Sequence, residues 1–298
     1  MDWLTKLPVI GPWAARLMRT HGWRAYETLD RARWSRLAAA ITFISFLAVF
    51  PLLTVAAVIG AALLSDARLR SVEDRISEQV PGISDQLDVG SLVDHAGTVG
   101  LVAGALLLLM GIGWVGSMRE CLRAVWGLEA EEGNPVVRKG KDALVLLGLG
   151  ATALVSLAAS GLGSTAVGWT ADLLGLSDGR LGEILLQGGA LVIAVPADFL
   201  ILLYLLTLLP GVEPPRRDLM VAALIGAVGF ELLKLLLGGY MKGVAAKSMY
   251  GAFGVPVALL LWINLSARLL LFCAAWTVTG KRRREATAPA PSGPATAD

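Results

Sequence analysis

Four charged side chains stand where this sequence is otherwise oily: Asp198 in IAVPADFLILLYLL, Glu231 and Lys234 in GFELLKLLL, and Arg268 in NLSARLLLF. An ionised group in the middle of a bilayer costs at least roughly 2.5–3.5 kcal/mol on insertion scales, so such residues normally face a helix bundle's interior and pair. Asp198, Glu231 and Arg268 each lie about three helical turns from the same end of their apolar runs, or roughly 16–18 Å at 1.5 Å per residue. Lys234 is one turn beyond Glu231 on the same helical face. The expectation is therefore one buried, charge-neutral cluster of Asp198, Glu231, Lys234 and Arg268. Asn264 joins it one turn before Arg268, and Pro196 kinks the helix beside Asp198. Two readings of that cluster stand side by side. It is neutral glue between helices, or it lines a pathway for a polar or amphiphilic substrate or relays protons.

Other chemistry is sparse. His21 and His95 fall on opposite sides of the apolar runs and cannot share a metal. The sequence has no C-x-x-C, H-E-x-x-H, Walker A or G-x-S-x-G pattern. No catalytic residue, metal site or cofactor is expected, and the chain is not expected to be an enzyme. Without a Walker A sequence, any transport would be secondary, facilitated or driven by a partner. Cys121 and Cys273 both fall at or within apolar runs and are expected to be free thiols.

The elements that position the charges follow from composition. The 298 residues are 55% hydrophobic and 17% charged, with a mean hydropathy of +0.66. Soluble domains are about a quarter charged, so this chain lacks the polar surface for water. Apolar runs at about 37–64, 99–117, 143–168, 184–209, 219–239 and 253–279 predict six transmembrane segments. Their length and uniform apolarity fit helices, which satisfy their own backbone hydrogen bonds in lipid, and do not fit alternating barrel strands. The fold class is all-α, a polytopic membrane protein. Eighteen Lys/Arg fall in the segments on one side and six on the other. That bias predicts cytoplasmic N and C termini.

Three regions are expected: residues 1–36, an interfacial segment mixing tryptophan with basic residues; residues 37–279, the six-helix domain; and residues 280–298, a basic anchor with a disordered tail from Glu285. In the acidic outer loop 65–98, Leu69, Val72, Ile76 and Val80 recur as on one helical face and predict a short amphipathic helix that ends at Pro81–Gly82. Gly100 and Gly104 form a G-x-x-x-G; Gly111, Gly113 and Gly116 follow, and Gly226 and Gly229 lie in the fifth span. Small residues of this kind predict close helix packing.

Four stretches carry a family resemblance: AAITFISFLAVFPLL at 39–53, GIGWVGSMRECLRAVW at 111–126, GFELLK at 229–234 and ARLLLFCAAWTVTG at 267–280. From about Ala38 to Gly280 the chain resembles the YihY/BrkB family of bacterial inner-membrane proteins, and more closely its YhjD-like branch. The broad family favours a Gly-Ala-Glu ending where this sequence has Cys273, Ala274 and Ala275, so that family's intramembrane acid is not carried here. The resemblance implies a six-helix inner-membrane fold. The branch's link to export of envelope lipid or lipopolysaccharide implies a transporter-like protein handling an amphiphile. The resemblance also places Arg119 and Arg123 at an arginine-bearing cytoplasmic edge, where they would meet lipid phosphates or serve as positive-inside anchors. Expected partners are membrane lipids and an amphiphilic substrate, not nucleic acid; homo-oligomerisation is left open. The alternatives are a non-transporting envelope scaffold and, more distantly, a membrane-bound ribonuclease, after the family's former label ribonuclease BN.

Overall fold

The computed structural model describes residues 20–63, 96–129, 133–152, 154, 180–244 and 251–287. Among these there are seven helices and no strand. In chain order they are α1 (His21–Arg31), α2 (Trp34–Leu63), α3 (Ala96–Trp126), α4 (135–152), α5 (Arg180–Leu208), α6 (Arg216–Val244) and α7 (Gly251–Thr287). The chain is thus an all-α membrane protein, as the apolar runs predict. Among the described residues, four stretches are long and apolar enough to cross a bilayer: Trp34–Val55, Gly100–Trp126, Arg216–Leu236 and Pro256–Arg284. Ala194–Leu208 of α5 is a shorter apolar stretch. Most of the expected third span lies outside the described residues. So do the outer amphipathic helix over 69–80, His95, residues 1–19 and the tail from 288.

Helix α7 is the axis of the bundle, with α1, α2, α3, α5 and α6 all packed against it. Its small residues make this possible: Ala267, Cys273, Ala274 and Ala275 are buried, as are Ala222, Ala223 and Ala227 on α6. At Gly226 the helices approach closely, because an added Cβ would sit 2.5 Å from Leu202 and 3.0 Å from Cys273. Gly229 faces Leu269 and Gly111 faces Leu146 in the same way. Gly104 and Gly113 face open space instead, so the expected packing role does not extend to them. Both cysteines are free and buried.

The basic segments gather at one end of the bundle. There His21 Nε2 donates to the Trp276 carbonyl at 3.0 Å, and Lys281 lies over the Trp126 ring. Arg284 pairs with Asp218 at 3.4 Å, and Arg123 donates to the Pro210 carbonyl at 3.2 Å. Helix α1 begins on Thr20, whose hydroxyl accepts from Trp23 N. It turns Ala25, Thr28 and Leu29 inward, the i, i+3, i+4 face of an amphipathic helix, and packs along α7. Arg33, at φ 54°, makes the turn into α2. At its far end α7 runs on as helix through Lys281–Arg284 to Thr287, so the first residues of the expected disordered tail are ordered. Likewise α3 extends to Trp126 and α4 starts at 135, so much of the stretch 118–142 between the second and third apolar runs is helical. Leu122, Leu202, Leu206 and Leu271 are among the most fully buried side chains of the core.

Gly226→Leu is expected to overpack the α5–α6–α7 junction and cost about 1–3 kcal/mol. Thermal unfolding of the detergent-solubilised protein reads this; Gly104→Leu, facing open space, is expected to leave the transition where it is.

Candidate functional site in the membrane interior

Helix α5 delivers Asp198, and α6, packed along it, delivers Glu231 and Lys234. Helix α5 is continuous through Pro196. The Lys234 ammonium donates to Asp198 Oδ2 at 2.8 Å and to Glu231 Oε1 at 2.9 Å. Glu231 and Lys234 are i, i+3 neighbours on one face, so the lysine is already matched within α6 before Asp198 reaches it from α5. The side chains of Glu231 and Asp198 are 14% and 20% exposed and that of Lys234 is 43% exposed, which places the ammonium at the rim.

Arg268 does not join them. Its Nε donates to Asn264 Oδ1 at 2.8 Å, and its guanidinium carbon lies 4.7 Å from the centre of the Trp34 ring. Asn264 in turn donates to Thr42 Oγ1 at 3.0 Å, and Thr42 donates back to the Ala38 carbonyl. The expected four-charge cluster is therefore corrected to two separate sites. One is an α5–α6 triad of Asp198, Glu231 and Lys234. The other is an α7–α2 relay of Arg268, Asn264 and Thr42 capped by Trp34. The reason is helical phase. Ile263, Ser266, Ala267 and Leu270 form the face of α7 toward the triad's cavity, and Arg268 is one residue, about 100°, past Ala267.

That cavity has a volume of about 350 Å³ and lies between α2, α3, α5, α6 and α7. Ser45, Trp114, Asp198, Lys234, Trp262 and Ser266 supply its polar and indole groups, and the rest of its wall is apolar. Trp114 Nε1 donates to Ser45 Oγ at 2.7 Å. Ser266 Oγ is buried without a hydrogen-bond partner. Phe230 and Trp262 pack edge to face on the wall, with ring centres 6.3 Å apart. Sequence reasoning missed Ser45, Trp114, Trp262 and Ser266. A signal for the tryptophans was present: both fall inside apolar runs, whereas tryptophan in membrane proteins concentrates at the interfaces. A larger, open groove of about 820 Å³ lies at the basic end, crossed by the Asp218–Arg284 ion pair and remote from the triad's helical turns.

Arg119 and Arg123 both have partners within the protein. Arg119 is 7% exposed and forked onto Asp142 of α4, with NH1 to Oδ1 at 3.1 Å and NH2 to Oδ2 at 3.2 Å. Arg123 donates to the carbonyls of Glu129 and Pro210. These ties hold both arginines at the basic end of the bundle. The partner Asp142 reads as a loop residue in the sequence, and only the extension of α3 and the early start of α4 bring it opposite Arg119. Among the described residues, no three His, Cys, Asp or Glu side chains are placed to hold a metal ion.

Asp142→Ala removes the carboxylate to which the buried Arg119 is forked. Breaking one side of such a pair costs about 3–5 kcal/mol. A lowered melting temperature in detergent is expected, with most of it regained in Arg119→Leu/Asp142→Leu. A single variant as stable as the parent would show the tie to be dispensable.

Comparison with known proteins gives the lineage. The virulence factor BrkB family matches residues 25–297. A protein of Dickeya dadantii (strain 3937) is 30% identical over 284 residues, covering 91% of this chain and 86% of its own. Inner membrane protein YhjD of Escherichia coli (strain K12) is 27% identical, covering 91% of this chain and 84% of its own. A UPF0761 membrane protein of Saccharophagus degradans is 24% identical, covering 88% of this chain and 59% of its own. No solved structure matches. With the family match running over nearly the whole chain and a YhjD protein among its relatives, this all-helical membrane protein belongs to the virulence factor BrkB (YihY/BrkB) family.

Proposed function

We propose that the protein is a transporter-like protein of the bacterial inner membrane, not an enzyme, that handles a lipid or amphiphilic component of the cell envelope. The observation that carries this reading is the cavity of about 350 Å³ inside the bundle, apolar over most of its wall and bearing the Asp198–Lys234 pair at one side. Ligand sites pair apolar walls with a few placed polar groups, and an amphiphile offers matching chemistry: a tail for the wall and a polar head for the ion pair. Ionisable groups at this depth are by default functional. The inner-membrane assignment is supported by the printed name of the YhjD relative. The preponderance of Lys/Arg at one end of the bundle supports a cytoplasmic location for that end and for both termini.

An alkyl alcohol with a diazirine in its tail, photolysed with the protein in phosphatidylcholine nanodiscs, is expected to label peptides lining the cavity. Ile263→Trp fills the cavity and is expected to reduce that labelling several-fold. Labelling spread evenly over the lipid-facing helices, with none in the cavity, would favour the second reading, a scaffold that moves nothing. The close packing at the basic end is the observation on that side. For orientation, a fluorescent protein that matures only in the cytoplasm, fused after Asp298, is expected to glow; a dark fusion in cells that make full-length protein would reverse the assignment.

A further inference from the structure

The charge on the triad says which head group the cavity accepts. With its three members ionised, the triad holds two carboxylates and one ammonium, leaving one negative charge in excess. Lys234 and Glu231 pair along one face of α6. Because Lys234 also bonds Asp198, at 2.8 Å, the two carboxylates share the surplus, and Asp198 is the one of them that lines the cavity. Nothing else on the cavity wall offsets it. Arg268 is turned onto Asn264 and Trp34, and Arg119 is forked onto Asp142. The α2 and α3 walls contribute Ser45 and Trp114, which are neutral.

The remaining groups suit a cation as well. Trp114 stands on one helix and the Phe230–Trp262 pair on two others, giving aromatic surfaces from separate sides of a small cavity. A cation within about 6 Å of such a ring face is attracted by the ring's quadrupole. Ser266 Oγ, buried without a partner, supplies a free acceptor. An anionic head has the opposite fit. The one cation on the wall, Lys234, is already bonded to two carboxylates, and a phosphate would have to displace one of them.

We infer that the cavity selects amphiphiles with a positively charged, ammonium-type head group, with Asp198 as the counter-charge and Trp114, Phe230 and Trp262 as the aromatic wall. This rests on the amphiphile reading of the same cavity and names its substrate class. In phosphatidylcholine nanodiscs, dodecyltrimethylammonium, dodecylphosphate and dodecanol compete with the diazirine-tailed alcohol for cavity labelling. The ammonium compound is expected to compete at concentrations at least about tenfold below the other two, the scale of one charge-assisted contact. In Asp198→Asn that preference is expected to collapse while labelling persists. Lys234→Gln, which leaves both carboxylates unmatched, is expected to widen it and serves if the Asn variant does not assemble. Equal competition by all three compounds, or a preference unchanged in either variant, overturns the inference but leaves the amphiphile reading standing. A wild-type cavity that takes no label overturns both.

Discussion

A charge placed in hydrocarbon must find partners inside the protein, whether an opposite charge, as for Lys234, or an amide and a ring, as for Arg268, and in this chain that requirement favours particular helix neighbours. Three ion pairs join neighbours along the bundle: Arg119 of α3 to Asp142 of α4, Lys234 of α6 to Asp198 of α5, and Arg284 of α7 to Asp218 of α6. Lipid tails are as apolar as leucine, so burying leucine against leucine gives helices little reason to choose one partner over another. A buried charge does give such a reason, because every mispaired arrangement strands it. Small residues then let the chosen neighbours close up, as Gly226 does against Leu202 and Cys273. At Gly280 an added side chain would run into Asp218, so the outermost ion pair also depends on a residue with no side chain.

Much of this was legible in the sequence. The apolar runs predict where the described helices lie, but α3, α4 and α7 run eight or nine residues beyond them toward the basic end, because a helix continues past the hydrocarbon where polar side chains satisfy it. The basic segments predict a common end, and they do gather there. Glu231 and Lys234 were readable as a pair because their spacing alone puts them on one face. The misreadings share a cause. Depth can be counted from the sequence, but helical phase and helix neighbours cannot. Arg268 sits at the right depth to meet Asp198 and is on the wrong side of α7, where Asn264 and Trp34 take it instead. Asp142 lies in a basic stretch that reads as loop, and its role appears only when α4 stands against α3. Gly104 belongs to a spacing that favours helix pairing, yet no neighbour stands over it.

The cavity shows the same division. Its aromatic and hydroxyl groups come from four helices, α2, α3, α6 and α7, so no local pattern announces them. What the sequence does announce are the two ions that cannot be balanced locally, Asp198 and Arg268, neither of which has an opposite charge within a turn on its own helix. Membership of the virulence factor BrkB family fixes the architecture to which these residues belong. The chemistry of the interior has to be read from which groups face the same space.

Helix α7 spans 37 residues, roughly 55 Å at 1.5 Å per residue. Its internal proline, Pro256, lies near the start, which leaves the rest without a weak point. One part of this rod forms a wall of the cavity through Ser266, Ala267 and Leu270. Further along, Trp276 grips His21 of α1, and Arg284 grips α6. Such a member acts as a lever. A tilt of this rod at the cavity wall would swing its far arm and, through Trp276 and His21, the amino-terminal helix with it.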